Sequence, residues 1–107
     1  MDILHELLLT KVTEARAKEV FFTEGASPAL KSAALLSSGA TLELLHHGVR
    51  DYSPKVRAIA VSSPFVDEVL ARIALTDTDE KVRLAARNWL IDFGKDPDVI
   101  DLPVLED

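Results

Sequence analysis

Apolar residues recur along the chain at the three- and four-residue spacing of a helix, and one such pattern occurs three times. The segments "SPALKSAALLS", "SPKVRAIAVSS" and "DEKVRLAARNW" begin at residues 27, 53 and 79, which are 26 residues apart. Each predicts a helix with one buried face. The aligned apolar positions are Leu30, Ala33 and Ala34 in the first segment, Val56, Ile59 and Ala60 in the second, and Val82, Ala85 and Ala86 in the third.

A second apolar stretch follows each of the first two segments after a short turn. Gly39 in "SSG" and Pro64 in "SSP" are residue types that end helices. Residues 41–49 and 66–75 then show helical spacing again. The sequence therefore predicts a helix–turn–helix unit of about 25 residues, with little sign of strands. A single pair of this kind cannot bury its apolar face, so we expect the copies to stack.

This pattern predicts one all-α domain over residues 1–95 and a separate acidic tail over 96–107. We expect residues 1–25 to form an N-terminal helical cap, as one helix or as two with a break near Thr10. The three units are expected at 26–51, 52–77 and 78–95. The last is atypical, because "NWLIDFG" replaces the turn and should extend the helix to Gly94.

The charge of the chain is concentrated in its tail. The net charge is −6, and the five acids of residues 96–107 have no base beside them. The rest of the chain is nearly neutral, which does not predict tight nucleic-acid binding. The absence of cysteine excludes disulfides and thiolate chemistry. The start "MDILHELLL" is unlike a signal peptide, and no apolar stretch is long enough to span a membrane, so we expect a cytoplasmic protein.

Two units carry the same pair of charges ahead of their first helix. Asp51 stands six residues before Arg57 in "DYSPKVR", and Asp77 stands six residues before Arg83 in "DTDEKVR". Over roughly residues 26–90, this pattern resembles HEAT repeats and the related variant leucine-rich repeats; the short unit is closer to the latter. The resemblance implies a small right-handed α-solenoid in which Asp and Arg of neighbouring units form a ladder.

The first unit departs from that pattern. Lys31 stands where the arginine is expected, and Glu6 and Glu24 are poor substitutes for the aspartate, so the ladder is expected to begin at the second unit. The variant leucine-rich repeats include an iron–sulfur-associated member. Because this chain has no cysteine, no such cofactor is expected.

The remaining polar residues do not form the pattern of an active site. His46 and His47 are adjacent, and His5 is the only other histidine, so no pair has metal-ligand spacing on a helix. Acidic residues cluster near helix starts, where they complement the helix dipole. No serine has a matched His and Asp arrangement. We therefore expect no enzyme activity, no metal and no cofactor.

Candidate contacts for a partner come from three places. Tyr52 and Phe65 fall at turns, and Trp89 falls on the terminal helix, where a core role is the alternative. Lys55 and Lys81 lie beside the ladder bases. In the tail, the candidates Val99, Ile100 and Leu102 lie between acids. This segment is expected either to lie back on the last helix or to dock in the groove of another protein.

The function that fits this pattern is a non-enzymatic protein–protein interaction module. Stacked helix pairs present a ridged surface without a deep cleft, which suits docking better than catalysis. The partner is expected to be a protein, with a homodimer as one form and no membrane contact. One alternative is a nucleic-acid-binding module that uses the basic ladder. The other is a small acidic inhibitor or antitoxin of the phage or plasmid type, acting on a protein target.

Overall fold

The computed structural model describes residues 2–98, and over these residues it is all-helical, with no strand. Seven helices follow one another in this part of the chain: α1 (Ile3–Leu9), α2 (Glu14–Phe21), α3 (Pro28–Leu36), α4 (Leu42–Gly48), α5 (Pro54–Val61), α6 (Glu68–Ala74) and α7 (Glu80–Asp92). The N-terminal residues 1–25 thus contain two helices, and the break lies at residues 10–13.

Every one of these helices begins at a side chain that caps its first turn. In each case a hydroxyl or carboxylate oxygen accepts a hydrogen bond from a backbone N–H two or three residues later, which satisfies a donor that has no partner inside the helix. Pro28 and Pro54 occupy the first helical position of α3 and α5. The capping residues are Asp2, Thr13, Ser27, Thr41, Ser53, Asp67 and Asp79.

The helices pack in a regular order. Helix α3 packs against α1 and α5, and α5 packs against α7. Each even-numbered helix packs against the odd-numbered helix that follows it in the chain: α2 on α3, α4 on α5 and α6 on α7. The molecule is elongated, with extents of 46 × 28 × 24 Å.

The core lies along the aligned faces that the repeat predicted. Ala34, Ala60 and Ala86 are completely buried, as are Val56 and Val82. The other aligned positions are Ala33, which is also buried, and Leu30, Ile59 and Ala85, which are partly buried and packed against the core. Alanine at these positions allows helices to approach closely, because it adds little bulk between them.

Gly39 is needed for close approach rather than for a special backbone conformation. Helix α3 ends at Leu36, before this residue, and Gly39 is not among the glycines with positive φ. A Cβ placed on Gly39 would overlap the backbone carbonyl of Thr13. Beside it, the Ser38 hydroxyl accepts a hydrogen bond from the Val12 amide at 2.7 Å. The turn after α3 therefore packs directly on the turn after α1.

Helix α7 is the longest, with 13 residues, and it ends two residues before Gly94. Gly94 has a φ of 74°, in the left-handed region, and reverses the chain. The Lys95 amide then donates to the Leu90 carbonyl at 2.7 Å. None of the helices within residues 2–98 has the length and apolar character needed to cross a membrane.

Candidate functional site

The charged residues singled out by the sequence form a row of ion pairs between successive helix pairs. The Lys31 ammonium lies 2.8 Å from Asp51 Oδ1. Arg57 holds Asp77 with two hydrogen bonds, from Nε at 2.9 Å and from Nη2 at 3.1 Å. In both cases the acid lies 20 residues after the base. We call this row, from Lys31 to Arg83, the ladder.

Each ladder arginine contacts the backbone, and not the carboxylate, of the aspartate six residues before it. Arg57 donates to the carbonyl oxygen of Asp51 at 2.9 Å, and Arg83 donates to that of Asp77 at 2.8 Å. The carboxylate that pairs with Arg57 is thus that of Asp77, which lies 20 residues later, just before the capping residue of α7. Lys31 takes part although an arginine was expected there, so the ladder begins at the first unit and not at the second.

Each ladder aspartate also fixes the loop that leads into the next helix. Asp51 accepts a hydrogen bond from the Ser53 amide at 2.9 Å, and Asp77 accepts one from the Asp79 amide at 2.8 Å. Ser53 and Asp79 are the capping residues of α5 and α7. One carboxylate therefore joins a neighbouring helix pair and also positions a helix start.

The environment of Asp77 favours its charged form. Burial by itself raises the pKa of Asp77. The hydrogen bonds from Arg57 and from the Asp79 amide, with the positive charges of Arg57 and Arg83, outweigh that effect and leave the pKa below its ordinary value. Asp77 therefore stays charged at neutral pH and neutralises Arg57, with which it is paired.

A groove with a volume of about 540 Å³ lies between α5 and α7. The rings of Trp89 and Phe93 are stacked, with centroids 4.4 Å apart. Small residues of α5 and of the turn after it form one wall, and larger residues of α7 form the other. The lining residues are Ala58, Ser62, Ser63, Pro64, Lys81, Leu84, Ala85, Asn88, Trp89, Asp92 and Phe93.

The groove is lined by both apolar and polar side chains. Leu84 and Phe93 are both more than half exposed although they are large and apolar. The Trp89 Nε1–H is buried and has no hydrogen-bond partner within residues 2–98, while the rest of its ring packs against the core. Trp89 thus packs against the core and also lines the groove, while its contact with a partner stays a prediction.

The other candidate residues lie on separate surfaces. Tyr52 is 99% exposed and lines a second depression of about 470 Å³, together with Phe22 and Arg50. Phe65 is exposed in the turn after α5. Lys55 is exposed on α5. These residues do not line the groove between α5 and α7, whereas Lys81 and Trp89 do. Val99, Ile100 and Leu102 lie outside the described residues.

Sequence reasoning missed Leu84, Asn88 and Phe93 as lining residues. The sequence does contain a feature that could have identified two of them, Leu84 and Phe93. Leu84 occupies the position of Ser32 and Ala58 in the preceding units, so a large residue replaces small ones. Phe93 follows Trp89 by four residues, which places the two rings on one face of a helix. The groove itself depends on the small residues of α5, which the sequence pattern assigned only to close packing.

The described residues offer no group of three or more His, Asp or Glu side chains that could hold a metal ion. His47 instead packs edge-on against Phe22, with ring centroids 5.0 Å apart. Comparison of the chain with protein-family models, with curated proteins and with solved structures gives no match.

Proposed function

We propose that this chain is a short right-handed α-solenoid that binds a segment of a partner protein in the groove between α5 and α7, without catalysing a reaction. The solenoid arrangement is supported by the order in which the odd-numbered helices pack and by starts 26 residues apart for α3, α5 and α7. A further ion pair between Lys18 of α2 and Glu43 of α4, at 3.0 Å, joins two even-numbered helices.

The groove is the observation that carries the proposed function. It is an open channel lined by an aromatic stack and by an exposed leucine, with the polar residues Lys81, Asn88 and Asp92 on the same helix. Aromatic side chains at a surface, with polar residues around them, are typical of sites that bind proteins.

The pairing of the ladder cations with aspartates argues against nucleic acid as the ligand. Phosphate binding needs cations that are accessible and not already neutralised. Lys31 and Arg57 are each paired with an aspartate in a partly buried site. Only two exposed lysines remain nearby, Lys55 and Lys81.

The acidic-inhibitor alternative is weakened at one residue. Asp98 of the acidic tail is already paired with Arg87 at 2.9 Å, which makes that acid a weaker candidate for contacts with a foreign target.

Peptide binding in the groove can be tested with two variants, each of which introduces an arginine at the equivalent position of a different unit. Peptides would first be selected from a random display library for binding to the full chain. Binding would then be measured by the fluorescence of Trp89, the single tryptophan. Ser62→Arg places a bulky cation in the groove, whereas Leu36→Arg places it at the corresponding exposed position of α3, outside the groove.

We expect Ser62→Arg to weaken peptide binding at least tenfold and Leu36→Arg to change it less than twofold, with both variants folded by circular dichroism. Equal effects of the two substitutions would contradict the proposal. So would a selection that yields no binding peptide while duplex DNA binds with a steep salt dependence, since that result would favour the nucleic-acid alternative.

A further inference from the structure

One line of residues on α7 faces the groove along most of the length of the helix. Lys81, Asn88 and Asp92 all line the groove. Their spacing places them within about 20° of a line drawn along the helix through Lys81. Leu84 and Trp89 lie beside this line and also line the groove. The groove therefore follows the axis of α7 for about three turns, or about 16 Å, from a lysine at one end to an aspartate at the other.

The two ends of the groove carry opposite charges. Lys81 and Asp92 are both exposed, and neither takes part in an ion pair within residues 2–98. Among the described residues, they are also the only charged side chains that line the groove. A partner with an acid and a base about 16 Å apart would match both ends at once, and such charge matching selects partners and fixes their register.

The walls of the groove offer no free backbone N–H group within residues 2–98. The amides of Ser62, Ser63 and Phe93 donate to helix carbonyls. The amide of Lys81 donates to the capping carboxylate of α7, and Pro64 has no N–H. The other lining residues lie inside α5 or α7, where each amide donates to the carbonyl four residues earlier. A bound peptide would therefore find only side chains to contact on these walls.

An extended peptide and a helix differ in what they need from such walls. The amides and carbonyls of an extended peptide need hydrogen-bond partners, and residues 2–98 contain no strand with which it could pair. A helix satisfies its backbone groups internally and needs only side-chain contacts. Leu84 and Phe93, which are 54% and 55% exposed, can supply these contacts. Ala58 and Ala85 in the lining allow a close approach.

The size of the groove sets how a helix would sit on it. A volume of about 540 Å³ holds a few side chains but is too small for a whole helix. The helix would therefore lie over the groove and insert its apolar face. Leu84 and Phe93 are about 13 Å apart along the axis of α7, which corresponds to apolar residues on two to three turns of the partner.

From these observations we infer that the partner of the groove is an amphipathic helix. It carries apolar residues on one face at helical spacing, with an acid at one end that faces Lys81 and a base about three turns away that faces Asp92. The inference rests on the proposed function, because it names the partner of the same groove. An extended peptide and a second copy of this chain are the competing occupants.

Two display libraries, each selected for binding to the full chain, separate this inference from the proposed function. One library presents peptides of about 18 helix-forming residues, long enough to be helical, with positions on one face randomised. The other presents peptides of the same length with a proline in every fourth position, which prevents a helix. We expect the best helical peptide to bind at least tenfold more tightly than the best proline peptide, and to gain helical circular dichroism on binding.

The outcomes of the selection are distinct. If proline peptides bind as tightly as helical ones or more tightly, and Ser62→Arg abolishes their binding, the inference is overturned while the proposed function stands. If neither library yields a binding peptide, both fail. If the enriched helical peptides lack an acid at one end and a base at the other, the matching to Lys81 and Asp92 is overturned.

A charge exchange tests the contact with Lys81. For the best helical peptide, Lys81→Glu should weaken binding about three- to tenfold, and replacing the acid of the peptide by lysine should restore most of the loss. Lys55→Glu is the matched control at the equivalent position of α5, which does not line the groove, and should change binding less than twofold. Both variants should fold, because an acid in the first turn suits the helix dipole. Equal losses for the two variants, or no restoration, would overturn the contact.

Sedimentation of the full chain without peptide tests the remaining occupant. We expect a monomer at micromolar concentrations, with the groove open to a partner. A dimer that Ser62→Arg converts to monomers would overturn the inference and assign the groove to a second copy.

Discussion

Two aspartates, Asp51 and Asp77, form ion pairs between successive helix pairs. Asp77 is the clearer case, because its side chain is 11% exposed and receives two hydrogen bonds from Arg57 and one from the Asp79 amide. Removing one partner of such a pair leaves the other charge poorly solvated, and this costs more than the pair itself contributes. The ladder therefore matters for stability mainly through the penalty of breaking it.

The pH dependence of stability should reflect Asp77. Its pKa is lowered on folding, so at acidic pH the unfolded chain, with an ordinary value of about 3.9, binds more protons than the folded one. The stability from this group is therefore present above about pH 5 and lost as the pH falls. Asp77→Asn should cost about 2 kcal/mol at pH 7, and the difference from the native chain should shrink toward pH 2.

Urea unfolding followed by circular dichroism between pH 2 and pH 7 measures this difference. Glu24→Gln is the matched control, because Glu24 is exposed and forms no ion pair within the described residues. If Asp77→Asn lowered the free energy of unfolding by the same amount across the whole pH range, the charge of Asp77 would not contribute to stability.

Gly39 should be the least replaceable glycine. An alanine there would push its methyl group into backbone atoms of the turn after α1, including the Val12 carbonyl oxygen at 2.9 Å, so the two turns would have to separate. We expect Gly39→Ala to cost about 3 kcal/mol or more, similar to other severe packing errors.

Gly25→Ala is the comparison for that substitution. Gly25 has a φ of 80°, but a methyl group added there would meet no atom within 4 Å, so only the backbone conformation opposes alanine, at about 1 kcal/mol. Thermal unfolding of both variants measures the contrast. A cost for Gly39→Ala no larger than that for Gly25→Ala would show that the two turns are not in close contact.

At the scale of the elements, the helices depend on their caps and on their neighbours. Six of those described have between seven and nine residues, and helices of that length are not stable alone in water. The sequence pattern located α3 to α7 because capping residues, prolines at first positions and apolar spacing agree there. The break in residues 1–25 remained open, since the pattern fits one helix as well as two.

The ladder pairing and the groove were harder to predict, for a physical reason. The spacing of Asp51 and Arg57 identifies the residues but does not say whether the Asp51 carboxylate pairs with Arg57, six residues later, or with Lys31, 20 residues earlier. The groove arises because Ala58 and Ser62 lie opposite Leu84 and Trp89, on two helices whose relative position depends on the whole stack. The spacing of residues along one helix does not predict which side chains of another helix they will face.

Ser53 should contribute to stability as a cap. Its hydroxyl accepts a hydrogen bond from the Val56 amide, and its own amide donates to Asp51. Ser53→Ala removes the first contact and keeps the second, so we expect a loss of about 1 kcal/mol. Ser62→Ala, at the end of the same helix, removes only a hydroxyl that donates to the Ala58 carbonyl and should cost less. If Ser53→Ala and Ser62→Ala lowered the free energy of unfolding equally in chemical denaturation, the capping role of Ser53 would be contradicted.

The whole molecule is longer than a compact domain of its size. Its radius of gyration is 14.3 Å, against about 13 Å for a typical globular chain of 100 residues. The proposed stack of helix pairs would give this shape, because each pair in it would cover only its neighbours. The proposed binding groove would be a consequence of that arrangement, since it lies between α5 and α7.

The distances between equivalent positions of three successive units test the stack most directly. Leu36, Ser62 and Asn88 are exposed and 26 residues apart, and the chain has no native cysteine, so spin labels can be attached to pairs of introduced cysteines. Packed helices lie about 10 Å apart. We predict similar separations for 36–62 and 62–88 and about twice that value for 36–88. Three equal separations, as in a closed bundle, would contradict the account.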